Sequence, residues 1–262
     1  MRLSQSSPID PPTVSRPAAK RVAFLARQRF AHRGLHGGPV IENSRAAFVA
    51  AIANGNGIEL DVRGARDGGA FVFHDRTLDR LTDEAGDLSA RTAMELDRIL
   101  LKGTSETIPR LPEILDLVGG KVPILIEAKT RRVLVAPLCR AIRRALESYG
   151  GEAGIMSFNP AVGRWFRRNA PHIARGLIVM GEKDRHGFAA LRGRVARCLS
   201  LWQARPDFLA YDIRDLPSAF AARQRQHGLA LVTWTIRTAA EEHLALAHAD
   251  ALIYEKPGFG KA

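Results

Sequence analysis

Short apolar runs alternate with longer segments of helical periodicity along almost the whole chain. The apolar runs predict strands at residues 28–32, 57–63, 122–128, 153–157, 174–180, 208–212, 229–235 and 250–254. The segments between them predict helices at residues 44–54, 112–118, 132–149, 160–169, 187–203, 216–227 and 238–247, with a short further helix after Thr92. Alternation of this kind is typical of parallel strands joined by helices.

Eight such units in a chain of 262 residues predict a closed (β/α)8 TIM barrel, an α/β fold that usually needs about 250 residues. An open doubly wound sheet is the alternative. No glycine-rich dinucleotide fingerprint follows any predicted strand, and the candidate chemical residues come from the ends of several strands. Because those ends converge on one face of a barrel, the closed fold is favoured.

The chain divides into a Ser- and Pro-rich stretch and one large domain. Residues 1–19 contain Pro8, Pro11, Pro12 and Pro17 and predict a mobile tail, whereas residues 20–262 predict the barrel. Residues 71–112 are too many for a simple loop between strand and helix. The turn at Gly68-Gly69 predicts a hairpin excursion after the second strand, which brings His74 over the barrel mouth.

The formal net charge of +12 indicates an anionic partner: nucleic acid, a membrane surface or a phosphorylated substrate. The arginines are spread through the predicted helices, and aromatic residues do not interleave with them. This pattern favours solvated helix faces over a nucleic-acid site, so no nucleic-acid partner is expected.

Location follows from what the sequence does not contain. The first residues lack the apolar core of a secretory signal, and no run approaches the roughly 18 apolar residues of a membrane span. Cys139 and Cys198 lie far apart and form neither a disulfide framework nor a zinc-ligand spacing. A cytoplasmic protein with at most peripheral membrane contact is therefore predicted.

The sharpest pair of candidate residues is Glu59 and Asp61. Residues two apart on a strand project from the same face, so the two carboxylates stand side by side. Such a pair repels unless a proton or a cation lies between its members, and oxygen ligands favour magnesium, calcium or manganese over zinc. Two solvated charges on an edge strand are the alternative.

Two histidines flank this pair in the sequence. His32 and His74 each end an apolar run and each precede a charged residue. Imidazoles titrate near neutral pH, so two of them can act as general base and general acid across a reacting phosphorus. Taken singly, each could instead be a structural or surface histidine.

The ordered motifs resemble the glycerophosphodiester phosphodiesterase family over about residues 28–256. The resemblance is carried by His32-Arg33-Gly34, Glu42-Asn43-Ser44, Ile58-Glu59-Leu60-Asp61-Val62, His74-Asp75, Leu78-Asp79-Arg80, Ile126-Glu127-Ala128-Lys129 and Thr233-Trp234-Thr235. It implies a TIM barrel that hydrolyses glycerophosphodiesters to sn-glycerol 3-phosphate and an alcohol. Cleavage of lysophospholipids, and a non-catalytic barrel that binds anions or nucleic acid, are the alternatives.

The resemblance also implies roles for single residues. One divalent ion, magnesium or calcium with manganese as a further candidate, is held by Glu59, Asp61 and Glu127. The acid and base pair is His32 and His74. Substrate and phosphate contacts come from Arg33, Glu42, Lys129 and Trp234. A neighbouring glycerol hydroxyl or a water molecule can attack phosphorus, and both routes stay open.

Four of these residues have plainer interpretations. Glu127 and Lys129 could form a strand-end salt bridge, and Trp234 could belong to the core. Glu42 is expected to orient His32 or to hold the glycerol hydroxyls, with helix capping as its alternative.

The family commonly ends its last strand with Thr-Asp or Thr-Asn before a proline, whereas this chain has Ile253-Tyr254-Glu255-Lys256-Pro257. The eighth loop is therefore expected to contact the substrate differently.

Overall fold

The computed structural model describes residues 16–130, 134–180 and 187–255. Its strands are β1 (Phe30–His32), β2 (Gly57–Gly64), β3 (Ala70–Val72), β4 (Ile124–Ala128), β5 (Ala153–Ser157), β6 (Ala174–Val179), β7 (Phe208–Asp212), β8 (Ala230–Ile236) and β9 (Ala251–Tyr254). Its α-helices are α1 (Arg16–Val22), α2 (Arg45–Ala53), α3 (Ala93–Leu96), α4 (Leu111–Val118), α5 (Ala136–Leu146), α6 (Pro160–Asn169), α7 (Gly187–Ala204), α8 (Ala219–Gln226) and α9 (Ala239–His248).

Eight of the strands form a closed parallel barrel. Their order is β1, β2, β4, β5, β6, β7, β8 and β9, and β9 pairs with β1 to close the ring. Helices follow the strands in the connections, as parallel neighbours require. The predicted (β/α)8 barrel is confirmed, and each predicted barrel strand corresponds to an observed one.

Some predictions concern residues that the structure does not describe. Of the predicted tail at residues 1–19, residues 1–15 lie outside the described chain, and α1 includes the last four. Residues 132–133 of the predicted helix at 132–149 also lie outside it. Among the described residues, no helix is long and apolar enough to cross a membrane.

The barrel interior at the amino ends of the strands, called the lower end, is filled by aromatic rings that pack against glycines. Phe30 and Phe208 are buried there, and Phe24, from the segment before β1, enters the same cluster from below. Gly57 faces the ring of Phe30, and Gly176 faces the ring of Phe208, where any larger residue would collide with them. The N-terminal segment thus closes this end, and the polar residues are left to the opposite end.

The excursion after β2 has a small core of its own. β3 pairs antiparallel with β2, with Val72 opposite Val62, so the predicted hairpin is confirmed. Ten buried apolar residues pack together behind it: Ala65, Phe71, Phe73, Leu78, Leu81, Leu88, Leu96, Ile99, Leu101 and Ile108. Phe73 belongs to this core and immediately precedes His74, so the packing fixes where His74 stands.

The filling of the barrel interior can be tested at Gly176. A Cβ there would lie 2.4 Å from the Phe208 ring and 2.9 Å from Met156. Gly176→Ala is therefore expected to lower the free energy of unfolding by about 1–3 kcal/mol, the usual cost of overpacking. Urea denaturation measures the change.

Gly64→Ala is the matched control, since it adds the same methyl group to another strand glycine. A Cβ at Gly64 would meet only Leu138, at an ordinary 3.9 Å. Its expected effect is within about 0.5 kcal/mol of zero. Equal losses of stability in the two variants would contradict this description of the interior.

Candidate active site

The predicted metal ligands meet at the carboxyl ends of neighbouring strands. Glu59 and Asp61 lie on β2, Glu127 lies on β4, and the sheet register places Asp61 directly beside Glu127. All three side chains are buried, and each offers a carboxylate oxygen within 4.8 Å of the other two. Because β2 is paired on both sides, the alternative of solvated charges on an edge strand is excluded.

Burial and mutual repulsion set the protonation of the three acids. Burial, with the charges of Asp61 and Glu127, raises the pKa of Glu59 well above its usual range. Burial and the Asp61 charge raise the pKa of Glu127 to about 7. Burial acts on Asp61 in the same way, but Lys129 and Arg33 outweigh it and hold the pKa of Asp61 below its usual range.

The donor set fits a hard divalent cation. Three carboxylates bring oxygen ligands of the kind that magnesium, calcium and manganese prefer. Lys129 Nζ lies 2.7 Å from Glu127 and 3.1 Å from Asp61, so one side-chain cation already faces the cluster. The raised pKa values of Glu59 and Glu127 show that this compensation is incomplete. A proton or a bound cation supplies the remainder.

The turn after β1 adds donors to the same cluster. Arg33 has a φ of +54°, which is uncommon for a residue with a side chain, and its backbone N–H donates to Glu59 at 3.1 Å. Its side-chain Nε lies 3.1 Å from Asp61. Asn43, with a φ of +57°, donates its amide N–H to Asp61 at 3.0 Å and accepts the backbone N–H of Asp61. Asn43 was not predicted as a site residue, although it lies within a recognised motif.

The two histidines come from different elements and have different partners. His32 ends β1, and its Nε2 lies 4.0 Å from Glu59. Its Nδ1 faces Glu255, the residue after β9, at 3.7 Å. His74 approaches from the hairpin, and its Nδ1 is hydrogen-bonded to Asp75 at 2.6 Å. Both predicted acid and base candidates therefore lie at the mouth of the barrel.

A chain of alternating charges connects His74 to Arg33. Arg80 donates to Asp75 at 2.5 Å and to the two oxygens of Glu42 at 2.7 and 3.0 Å. Arg33 donates to Glu42 at 2.8 Å. Each acid in this chain thus accepts from at least one guanidinium, which holds the site's acid and base groups in a fixed arrangement.

Glu42 is joined to two arginines. Its hydrogen bonds run to Arg33 and Arg80, so it supports a phosphate candidate and a second arginine. The helix cap belongs to its neighbour Ser44, whose hydroxyl accepts from the backbone N–H of Ala47. Asp75 and Arg80 are not among the residues predicted for the site, and sequence spacing does not show which ion pairs long side chains form.

A cavity of about 370 Å³ opens in front of these groups. It is lined by both histidines and by Arg33, Glu59, Glu127 and Lys129, with Trp234 and Phe158 among its other walls. The Trp234 ring meets Phe158 edge to face at 5.9 Å. Within the described chain, the buried indole N–H of Trp234 has no hydrogen-bond partner. Buried donors are usually paired, so this N–H is available to donate to a ligand in the cavity.

Comparison with known proteins gives one consistent result. The chain matches the Glycerophosphoryl diester phosphodiesterase family over residues 32–259. A glycerophosphodiester phosphodiesterase from Caldanaerobacter subterraneus subsp. tengcongensis is 29% identical over 238 residues, covering 87% of this chain and 93% of that protein. One from Bacillus altitudinis is 32% identical over 162 residues, covering 58% and 66%.

Solved structures share the fold. A phosphodiesterase from Oleispira antarctica, in complex with the product sn-glycerol-3-phosphate, has a TM-score of 0.76 at 24% identity, covering 89% of this chain and 94% of that one. A glycerophosphodiester phosphodiesterase from Thermotoga maritima has a TM-score of 0.67 at 23% identity, covering 86% and 92%. The arrangement of strands and helices is therefore common to all three chains.

The burial and mutual repulsion of the carboxylates are expected to make the stability of the fold depend on pH. In the folded chain the pKa of Glu127 is about 7, against an ordinary value of 4.5, so the folded chain keeps this proton to a higher pH than the unfolded chain does. That stabilisation is complete below the ordinary value and is lost as the pH rises through the folded value. The free energy of unfolding in EDTA should therefore fall between about pH 4.5 and 7, and Glu127→Gln should flatten the fall by roughly 1–3 kcal/mol.

Urea denaturation at a series of pH values provides the measurement. Glu147→Gln is the control. Glu147 follows α5, and its side chain is 58% exposed, whereas Glu127 is buried. The control curve is expected to run parallel to that of the wild type. An unchanged slope in Glu127→Gln would show that this carboxyl group does not hold a proton at neutral pH.

Proposed function

The chain belongs to the glycerophosphoryl diester phosphodiesterase family, and from that premise we propose that its barrel mouth hydrolyses glycerophosphodiesters to sn-glycerol 3-phosphate and an alcohol with one divalent ion. Magnesium, calcium and manganese are the proposed ions, held by Glu59, Asp61 and Glu127. When bound, the ion polarises the phosphodiester and orients it for in-line displacement. A cytoplasmic location stays a prediction from the sequence.

One observation carries the proposal: a buried carboxylate cluster and two histidines line the same cavity, beside an arginine and a lysine. The volume of about 370 Å³ lies in the usual range for small-molecule sites, about 300–1,000 Å³. Arg33 and Lys129 are partly buried cations at its wall, so they can contact phosphate oxygens where water screens their charge less than at an open surface. The unpaired N–H of Trp234 adds a neutral donor within the described walls.

His74 has the properties of the general base. Burial opposes ionisation of Asp75, but Arg80 and His74 lower the pKa of Asp75 to about 2, so this carboxylate is an acceptor at neutral pH. The proton in the bond between them therefore resides on Nδ1 of His74. Burial lowers the pKa of His74, which leaves Nε2 with a free lone pair to accept the proton of the attacking hydroxyl.

His32 is then the group that protonates the departing alcohol. It ends β1, which pairs with β2, whereas His74 comes from the hairpin, and both histidines line the same cavity. In-line displacement needs an acid and a base on opposite sides of phosphorus, and the two strand ends supply them from separate elements. Attack by a glycerol hydroxyl and attack by water use the same pair of residues.

The assay that tests the function follows release of glycerol 3-phosphate from glycerophosphocholine and glycerophosphoethanolamine. EDTA is expected to abolish release, and magnesium, calcium or manganese to restore it. His32→Ala and His74→Ala should each lower kcat by about 10²–10⁴, the usual contribution of a general acid or base. His172→Ala is the control, because His172 is exposed on the loop between α6 and β6 and lies away from the cavity.

Two results would contradict the proposal. Release that persists in EDTA would remove the metal from the reaction, and full activity of both His32→Ala and His74→Ala would remove them from catalysis. Lysophosphatidylcholine is assayed in parallel. Turnover of that lipid with none of the glycerophosphodiesters would replace the proposed substrate class with lysophospholipids.

The proposed orientation of His74 can be tested at Asp75. Asp75→Asn removes a charge whose hydrogen bond raises the pKa of His74 against the effect of burial. The acidic limb of the kcat/KM profile is therefore expected to move to lower pH, and kcat to fall about tenfold or more. Asp79→Asn, at an exposed acid four residues further on, is the control and should leave the profile unchanged. A fall in rate without movement of the acidic limb would mean that Asp75 does not act through His74.

A further inference from the structure

A second group of potential metal ligands lies beside the carboxylate cluster. His32, His36 and Glu255 each offer one ligand atom, a ring nitrogen or a carboxylate oxygen, and these three atoms lie within 4.8 Å of one another. Glu255 is 3.7 Å from His32 and 3.8 Å from His36. These separations are too long for hydrogen bonds, so the three groups face one another without being joined.

The two imidazole nitrogens are also withdrawn from solvent. Nδ1 of His32 and Nε2 of His36 are inaccessible atoms that lack a hydrogen-bond partner within the described chain. Buried polar atoms are seldom left unpaired, and two that converge on one carboxylate form a built site. Their positions are set by the fold, because Glu255 continues β9, which pairs with β1, and the backbone N–H of Glu255 donates to Ile236 at 2.9 Å.

We propose that His32, His36 and Glu255 form a second metal site that takes a borderline transition metal, with Zn²⁺ as its representative, and that occupation of this site inhibits the enzyme. Two imidazoles and one carboxylate are a zinc-type donor set, which leaves a fourth position for water. The neighbouring cluster offers oxygen atoms alone and therefore favours harder ions. The two sites therefore prefer different ions, although His32 lies next to both.

Glu255 can serve as a ligand while it keeps its ion pair with Arg237. A carboxylate has two oxygens with about four acceptor positions, so one guanidinium does not use all of them. His36 faces Oε1, whereas Oε2 faces His32 and also contacts Arg237. The guanidinium thus holds the carboxylate in place for the two histidines.

Inhibition follows from the two nitrogens of His32, and this part rests on the proposed function. A metal bound at Nδ1 takes the lone pair of that nitrogen, and the ring keeps its one remaining proton on Nε2, which faces Glu59. His32 then cannot alternate between its neutral and protonated forms. The ring can then give up its Nε2 proton only by becoming a metal-bound imidazolate, which is far less favourable than donation from an imidazolium, so turnover is expected to fall.

The test titrates the full-length chain with ZnCl₂ at saturating Mg²⁺, and it measures binding against a fluorescent chelator as well as inhibition of diester hydrolysis. His36→Ala is expected to weaken zinc binding and inhibition by at least about tenfold, because one of three ligands is lost. Its activity without zinc should stay within about twofold of the wild type, since His36 does not line the cavity. His172→Ala is the control for loss of an exposed histidine.

Glu255→Gln provides a second variant if His36→Ala does not fold, and it is expected to weaken zinc binding in the same direction. Zinc affinity that is unchanged in His36→Ala and in Glu255→Gln would overturn the site. Inhibition that is relieved by raising Mg²⁺ and is indifferent to His36 would place zinc on the carboxylate cluster and also overturn it. The binding arm does not depend on turnover, so failure of the proposed function stays distinguishable from failure of this site.

Discussion

Uncompensated negative charge at the carboxyl end of the barrel is the constraint around which the rest of the site is arranged. Glu59, Asp61 and Glu127 are buried side by side, at a cost that repulsion and lost hydration both increase. Lys129 and Arg33 reduce that cost, and they do so at the positions where a phosphate would need positive charge. Under the proposed function, the same two side chains would face the anionic diester.

The two ends of the barrel differ in composition: the lower end is apolar and the upper end is polar. At the lower end, rings such as Phe30 and Phe208 fill the space beside glycines and need no polar partner. At the upper end, ion pairs and hydrogen bonds join many of the polar groups, from the Arg33 turn to the Asp75 and Arg80 pair. Stability and chemistry are therefore separated along the barrel axis, which is the usual division in this fold.

Much of this arrangement could be predicted from the sequence, because it follows from period and order. The two-residue period of a strand places Glu59 and Asp61 on one face, and the Gly68-Gly69 turn predicts the hairpin that carries His74. The partners of Glu42 and the approach of Glu255 to His32 could not be predicted. They depend on which long side chains meet across loops and on barrel closure, and neither is encoded in local periodicity.

Anomalous diffraction from crystals grown with Mn²⁺ can show whether the three carboxylates hold a divalent ion. An anomalous peak is expected within bonding distance of oxygens of Glu59, Asp61 and Glu127, with Lys129 displaced from at least one of its present partners. Full occupancy elsewhere, with Lys129 still bridging Asp61 and Glu127 and no peak between them, would contradict this expectation.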